Sequence, residues 1–437
     1  MNHSSFIRTL VLGVGATVLC APMLSSAQNL SHAEKKLVTY VNAHLDQQLA
    51  DLEIAVNIDS GTYNPAGVKA VGAFFGKQLE SLGFTVRWID MPESMHRAGH
   101  LLAERVSAKG TGKRVLLVGH LDTIFEGEAH RFRREGDTIR GAGVTDMKGG
   151  DTVILYALKA LHAAGELEGA TVRVFLTGDE ENPGLPTAIS RKELVDVSRK
   201  SDVALSFEAD SGKFVIGRRG LSTWNLKLTG VQGHSAGVLK GDTGAGANYE
   251  SARIIDGIRI AYTGHPTVTI NPSLVVGGTD VTSEPLRSAG SAMGKFNVVA
   301  KAAHVSGDLR FLTDEDRDQA KAKLTALAAA SLPKTTAGFL FDDMVPGWPA
   351  SEQGRALLKQ ASQVSEDLGQ GPKVADDPST RGFGDANFFG PLIPTVDGLG
   401  VSGEGAHGPN ESLKLQSLAS STSRAAVLVS RLIRRPK

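Results

Sequence analysis

The sequence is poor in cysteine and has no surplus of either charge, and both features narrow its chemistry. Cys20 is the only cysteine in 437 residues. Because it lies in an N-terminal segment typical of a cleaved leader, we expect the mature chain to form no disulfide and use no thiolate. Any metal must then be held by histidine and carboxylate. Lys+Arg and Asp+Glu balance at 47 each, which leaves no basic surface for nucleic acid.

The N-terminal segment has the composition of an export signal. Arg8 precedes an apolar stretch over residues 9–24, and Ser25-Ser26-Ala27 supplies the small residues of a cleavage site. The alternative is a membrane anchor, which needs about 20 apolar residues. The stretch is shorter than that, and no later apolar run is long enough to span a bilayer. We therefore predict a signal peptide over residues 1–27 and a periplasmic or secreted protein with no membrane attachment after cleavage.

The length predicts two domains. The pattern of apolar and polar residues also changes twice along the chain. Over residues 28–213, short apolar runs alternate with amphipathic stretches, which is typical of an α/β fold: a mostly parallel sheet with helices on both faces. Strands are predicted at 114–119, 171–177 and 202–207. A helix is predicted over 148–164, between the first two strands.

Residues 214–331 are predicted to form a separate, smaller α+β insert. Its predicted order is strand, helix, strand, strand, helix, with helices at 248–262 and 314–330 and strand material in 296–311. This order suggests a ferredoxin-like split βαβ unit. Residues 332–437 then resume the first domain and include a helix near 412–433.

Polar residues that do not belong in a core follow three of the predicted strands. His120 follows the first, Asp179-Glu180-Glu181 the second and Glu208 the third. Since ligands bind outside the carboxyl ends of strands in open α/β sheets, these residues should converge, and we add Asp146 and His407 to them. Two histidines and several carboxylates suit zinc, cobalt or manganese. Four clustered carboxylates without a cation would repel one another strongly.

Each of these residues also has an ordinary structural interpretation. A histidine at a strand end is usually a satisfied polar residue, and a pair of glutamates is usually a solvated loop. Gly141-Ala-Gly143 hints at a dinucleotide loop, but the sixth position is Asp146 instead of glycine, and no strong strand directly precedes it. The joint pattern is more specific than its parts.

Five segments, in order and spacing, resemble a family of co-catalytic zinc metallopeptidases. The family includes glutamate carboxypeptidase, aminoacylase and succinyl-diaminopimelate desuccinylase, and the chain is most similar to the glutamate carboxypeptidase branch. The resemblance covers nearly the whole mature chain, including the insert. The segments are His120-Leu-Asp122-Thr, the loop 141–150, Thr177-Gly-Asp-Glu-Glu181, Ser206-Phe-Glu208 and Gly405-Ala-His407.

The resemblance implies a centre with two zinc ions per subunit, for which cobalt or manganese could substitute. Asp146 would bridge the ions, with His120 and Glu208 completing one site and Glu181 and His407 the other. Glu180 would be the general base. Asp122 would fix the orientation of the His120 imidazole, and its alternative role is a cap before the next residue.

For the insert, the resemblance implies a lid and dimerisation domain. His234 would reach the active site of the neighbouring subunit and help hold the oxyanion, so a homodimer is expected. Asn297 and Arg310 would bind the terminal carboxylate of the substrate, a task that suits a guanidinium group. The alternative for Arg310 is an ion pair with Asp308 or Asp314.

Three further residues have weaker assignments. Gly384, in the loop 382–387, resembles a pocket-lining glycine of the family, although a plain turn explains it almost as well. Arg218 and Arg219 could bind an acidic side chain of the substrate. Solvated charges at a domain junction are the preferred interpretation of this pair.

Together these implications predict an exported carboxypeptidase or dipeptidase that cuts the amide bond next to a free carboxylate in a small peptide. An N-acyl-amino-acid deacylase of the same family is a close alternative, because only the acyl pocket would differ. A non-catalytic zinc-binding or receptor protein with the same fold is a third hypothesis. The presence of Glu180 and of all five ligand candidates argues against it.

Overall fold

The structure is a computed structural model that describes residues 29–127, 130–284 and 289–434. The predicted signal peptide, residues 1–27, lies outside the described residues. Within those ranges, no helix combines the length and the apolar character that crossing a bilayer would require.

Helices and strands alternate through the first part of the chain and return at its end. The α-helices are α1 (His32–Ala43), α2 (Leu45–Val56), α3 (Pro65–Ser81), α4 (Lys148–Ala163), α5 (Thr187–Ser190), α6 (Lys192–Ser198), α7 (Gly246–Tyr262), α8 (Asp314–Ala329), α9 (Glu352–Asp367), α10 (Ala386–Phe389) and α11 (Leu415–Arg434). The strands are β1 (Thr85–Ile89), β2 (His100–Arg105), β3 (Val115–His120), β4 (Arg133–Glu135), β5 (Thr138–Arg140), β6 (Val172–Thr177), β7 (Val203–Ser206), β8 (Gly220–Gly230), β9 (Thr269–Gly278), β10 (Asp280–Glu284), β11 (Ala289–Met293), β12 (Ala302–Phe311), β13 (Thr335–Val345), β14 (Thr395–Val396), β15 (Gly403–Glu404) and β16 (Ser412–Lys414).

The larger sheet has six strands in the order β1-β2-β6-β3-β7-β14. Three neighbouring pairs in this order are parallel: β6–β3, β3–β7 and β7–β14. The pairs β1–β2 and β2–β6 are antiparallel, so β1 and β2 form an antiparallel edge of the sheet. A parallel pair needs a crossover connection, and α4 supplies it between β3 and β6. The carboxyl ends of β3, β6 and β7 therefore lie at one edge of the sheet.

Alternate residues of the central strands enter two cores, one on each face of this sheet. Leu117 and Leu205 lie in the core shared with α4 and α11. Leu116 and Phe175 lie in the core shared with α6 and α10. Successive strand residues point to opposite faces, so a strand buried on both sides has a continuous apolar sequence. This confirms the predicted α/β fold with helices on both faces.

The second sheet has four antiparallel strands in the order β13-β8-β12-β9. It shares a core with α7 and α8 that includes Trp224, Val305, Ile254 and Leu324. Leaving aside the β10–β11 hairpin, the order of elements is strand, helix, strand, strand, helix, strand, which is the expected ferredoxin-like unit.

Two parts of this insert differ from the sequence interpretation. Strand β13 pairs with β8 and carries the second sheet to Val345, beyond the predicted end at 331. The β10–β11 hairpin adds two strands between β9 and β12. The hairpin was missed because its side chains are exposed or half-buried and it has no long apolar run. Strand β13 was missed although residues 337–341 are apolar, because its half-buried side chains alternate with exposed ones such as Leu340.

A small sheet in the order β15-β16-β5-β4 connects the end of the chain to its middle. Strand β16 pairs with β5, so that Leu413 lies opposite Ile139. Both side chains are buried in the main core. This pairing brings the loop between β15 and β16 against the loop that precedes α4.

Candidate metal centre

Five side chains from five separate segments meet at the edge where the parallel strands end. His120 Nε2 lies 3.1 Å from Asp146 Oδ1 and 3.7 Å from Glu208 Oε1. His407 Nε2 lies 3.0 Å from Asp146 Oδ2 and 3.1 Å from Glu181 Oε2. In each trio, one nitrogen or oxygen atom per residue lies within 4.8 Å of the others. Asp146 belongs to both trios and turns a different carboxylate oxygen toward each.

The fold explains why these residues converge. His120 is the last residue of β3, Glu181 follows β6 and Glu208 follows β7, so all three leave the sheet at one edge. Asp146 lies in the loop before α4. The small sheet carries His407 across to it, between β15 and β16.

Asp122 is fully buried and connects one histidine to the segment that follows β6. Its Oδ1 lies 3.5 Å from His120 Nδ1 and accepts the backbone N–H of Glu180 at 3.0 Å. Its Oδ2 accepts the Thr62 hydroxyl at 2.7 Å and the backbone N–H of Glu181 at 3.2 Å. The nearer partner of His120 Nδ1 is the Asp122 backbone carbonyl, at 3.0 Å. Asp122 thus orients the imidazole through its carbonyl as well as its carboxylate, and the carboxylate also fixes the backbone of two acidic residues of the site.

Glu411 anchors the loop that carries Asp146, and the sequence interpretation gave it no role. Its carboxylate accepts the backbone N–H groups of Gly143, Thr145 and Asp146 at 3.0, 2.8 and 2.9 Å. Burial nevertheless raises the pKa of Glu411 to about 7. Its position four residues after His407 was the only signal available. A lone glutamate in a polar loop is indistinguishable from a solvated one.

Glu180 is buried but keeps its carboxylate available. Among the described residues this carboxylate makes no hydrogen bond or ion pair, although the Glu180 backbone is held by Asp122. Burial, followed by repulsion from Glu208, raises its pKa well above the usual value. A buried carboxylate with no partner, next to a candidate metal site, can accept a proton from water.

A buried network lies behind Glu180, and the sequence interpretation missed it. Arg191 donates to Asp179 at 2.6 Å and to Asp385 at 2.7 Å, and all three side chains are buried. His100 accepts the backbone N–H of Gly178 at 3.2 Å. The strand-end segment is therefore held rigidly from its inner side.

The electrostatics of the cluster favour a bound cation. Burial, followed by repulsion from Asp146, raises the pKa of Glu208 to about 8. Burial also raises the pKa of Glu181. Hydrogen bonds to Asp146 and Glu181 raise the pKa of His407 to about 11. Ionising these carboxylates is thus unfavourable because they are buried and repel one another, and a bound cation would reduce that free-energy penalty. The nitrogen and oxygen donors also match those of hydrolytic zinc sites. The residues present fit the metal.

The insert residues lie apart from this cluster in the described contacts. His234 is exposed, and its Nδ1 accepts the backbone N–H of Ala236 at 3.2 Å. Asn297 is also exposed, and its carbonyl accepts the N–H of Ser235 at 3.0 Å, so the segments of His234 and Asn297 are neighbours. Arg310 forms the ion pair with Asp308 that was its alternative interpretation, at 2.8 Å.

The loop of Gly384 borders a buried ion pair. A Cβ atom at Gly384 would lie 3.3 Å from the Arg218 guanidinium carbon. Arg218 is buried and donates to Asp397 through Nε at 3.0 Å and Nη2 at 2.5 Å, so the preferred interpretation of Arg218 as a solvated charge was wrong. Asp397 was not singled out from the sequence, and its carboxylate is what allows the guanidinium to be buried. Arg219 is half-buried and donates to the Ser379 carbonyl.

Known proteins are similar to this chain over most of its length. The pattern of Peptidase family M20/M25/M40 matches residues 116–431. Carboxypeptidase G2 of Pseudomonas sp. is 28% identical over 417 residues, which cover 92% of this chain and 92% of the relative. Succinyl-diaminopimelate desuccinylase of Sphingopyxis alaskensis is 28% identical over 375 residues, covering 81% and 91%. Among solved structures, an aminopeptidase of Bacillus cereus has a TM-score of 0.68 at 18% identity, covering 89% of this chain and 98% of that one.

Proposed function

The chain belongs to peptidase family M20/M25/M40, and from this membership and the geometry of the cluster we propose an exported two-zinc hydrolase. It would cleave an amide bond next to a free carboxylate, as a carboxypeptidase or dipeptidase acting on small peptides. The observation that carries the proposal is the position of Asp146, whose two oxygens face two separate sets of donors.

Two zinc ions would share Asp146. His120 and Glu208 would complete one site, and Glu181 and His407 the other. Zinc at such sites supplies Lewis acidity, which acidifies water and polarises a carbonyl group. Cobalt or manganese could substitute, since both accept the same nitrogen and oxygen donors.

The chain itself would supply the proton transfers. Glu180 would take a proton from the attacking water and deliver it to the leaving nitrogen, which its free carboxylate permits. Asp122 would keep His120 in place through its backbone carbonyl and its carboxylate, and the backbone of Glu180 through the carboxylate alone.

Substrate binding is assigned to the insert. Arg310 and Asn297 would bind the free carboxylate of the substrate, which requires Arg310 to exchange its ion pair with Asp308 for the substrate. The similarity of the chain to carboxypeptidase G2 supports carboxypeptidase activity. Gly384, beside Arg218, would line the pocket.

A homodimer is part of the proposal. His234 and Asn297 lie on adjacent exposed segments of the insert, where the partner's active site could receive them. Exposed apolar side chains at Leu239, Met293 and Phe296 belong to the same domain and suit a protein interface. Export remains a proposal that rests on residues 1–27 of the sequence.

The main alternative is an N-acyl-amino-acid deacylase, which the desuccinylase relative favours. Both activities use the same centre and differ in the acyl pocket. A non-catalytic zinc-binding protein is disfavoured by the free carboxylate of Glu180.

The test combines metal analysis with a substrate panel. Purified protein should bind two zinc equivalents per chain and hydrolyse dipeptides, folate-like glutamate conjugates or acetyl-amino acids in a chelator-sensitive manner. Preference within the panel separates peptidase from deacylase. Two bound zinc ions with no hydrolysis of any member would favour the non-catalytic alternative.

A further inference from the structure

Three side chains form a rigid group beside Glu181, outside the cluster of metal-ligand candidates. Asn182 Nδ2 donates to the Tyr63 hydroxyl oxygen at 2.8 Å. The Arg97 guanidinium lies over the Tyr63 ring, with its carbon 4.5 Å from the ring centroid. Asn182 directly follows Glu181, and Thr62, which precedes Tyr63, donates to Asp122, so two parts of this group adjoin residues of the candidate metal centre in the chain.

The Tyr63 segment is also tied to the other side of the centre. The hydroxyl of Thr62, the preceding residue, donates to Asp122. The Tyr63 backbone N–H donates to Glu126 at 2.9 Å. Tyr63 is therefore held by its backbone, its ring and its oxygen, although 56% of its surface is exposed.

Arg97 has its hydrogen-bonding capacity filled by neutral oxygens. It donates to the carbonyl and the side-chain oxygen of Asn182, to the carbonyls of Met95 and His96, and to the Tyr63 hydroxyl at 3.5 Å. A guanidinium group has five N–H donors, so none remains for a ligand. In the described residues it pairs with no carboxylate, which leaves its positive charge uncompensated.

Like the second Nδ2–H of Asn182, the Tyr63 hydroxyl is consequently a free donor among the described residues. Its oxygen accepts hydrogen bonds from Asn182 and Arg97, whereas its own hydrogen has no acceptor in the part of the chain that the structure describes. A phenol can both accept and donate. An exposed O–H donor beside an unpaired cation suits an anionic oxygen, because a hydrogen bond to a charged acceptor is stronger than one to a neutral acceptor.

We propose that Tyr63, held by Asn182 and Arg97, binds a carboxylate in the acyl part of the substrate. The inference rests on the proposed function, which assigns the carboxylate of the leaving amino acid to Arg310 and Asn297 of the insert. Tyr63 belongs to the larger domain, so it is available to the other half of the substrate. The enzyme would then prefer acidic acyl groups, those of dicarboxylic acids, over neutral ones of equal length.

The experiment compares N-acyl-L-glutamates in matched pairs, succinyl with butyryl and glutaryl with pentanoyl, on the zinc-loaded enzyme. Wild type should show a lower KM for each diacid. Tyr63→Phe, which removes only the hydroxyl, should raise the diacid KM by about 10-fold with kcat nearly unchanged, and should leave the neutral partners unaffected. Tyr249→Phe, at another exposed tyrosine, is the matched control and should change neither series.

Equal effects of Tyr63→Phe on both members of a pair, or no effect on the diacids, would overturn the subsite and leave the hydrolase intact. Absence of hydrolysis in wild type would count against the proposed function alone. The subsite would then be decided by calorimetry with glutarate and pentanoate on zinc-loaded protein. Glutarate binding that is about 10-fold weaker in Tyr63→Phe than in wild type supports it, and equal binding overturns it.

Discussion

Asp122→Asn changes one atom at the point where the first histidine and the proposed base are held together. The buried carboxylate accepts three hydrogen bonds and faces His120 Nδ1. With the amide oxygen at the Oδ2 position, the new NH₂ group faces the backbone N–H of Glu180. With the amide reversed, it faces the backbone N–H of Glu181. In either orientation, one of these two backbone N–H groups faces the amide NH₂ group and loses its acceptor.

The expected loss of zinc affinity or of kcat/KM follows from that one lost hydrogen bond. A hydrogen bond to a charged group contributes about 1.5–3 kcal/mol. Since 1.4 kcal/mol corresponds to a factor of ten, the substitution should weaken zinc binding or lower kcat/KM by about 10–100-fold. This range agrees with the usual effect of changing a residue that orients a metal ligand.

The assay titrates zinc against a competing chelator and measures kcat/KM at saturating zinc. Asp51→Asn is the matched control, since Asp51 on α2 also accepts two hydrogen bonds, from Tyr156 and Lys159. The control should leave both quantities unchanged. If Asp122→Asn bound zinc and turned over substrate as wild type does, the orienting role of the Asp122 carboxylate would be refuted.

Three further predictions address the base, the substrate and the support of the site. Glu180→Gln should keep its zinc, measured by metal analysis, yet lose at least about 10²-fold in kcat; near-normal turnover would exclude Glu180 as the base. Arg310→Ala should raise KM sharply in steady-state kinetics, and an unchanged KM would remove Arg310 from the substrate site. Arg191→Met leaves Asp179 and Asp385 buried without a cation, so urea unfolding should show a loss of about 3–5 kcal/mol. A loss below about 1 kcal/mol would mean that the network does not support the fold.

The core of the site was predictable because its residues follow buried strands. Apolar runs at β3, β6 and β7 locate three strand ends, and His120, Glu181 and Glu208 stand out there as polar residues. Asp146 and His407 come from loops, where no strand end marks them; they were added to the candidates as polar residues of glycine-containing loops, and the family resemblance supplied their roles as metal ligands. The comparisons confirm that resemblance.

The supporting residues were not predictable, because their roles depend on partners far away in the chain. Glu411 meets the backbone of Gly143 across 268 positions, and Arg191 meets Asp385 across 194. Arg218 was interpreted as solvated because a single charge near a domain junction carries no sign of its partner. Tyr63 gave no signal either, since its hydroxyl is fixed by a separate segment.

The most direct measurement is anomalous diffraction at the zinc edge from crystals of the zinc-loaded protein. Two peaks about 3.5–4 Å apart are expected, with one oxygen of Asp146 directed at each. His120 and Glu208 should bind the ion at one peak, and Glu181 and His407 should bind the ion at the other. A single peak, or two peaks that Asp146 does not join, would rule out a two-zinc centre shared through Asp146.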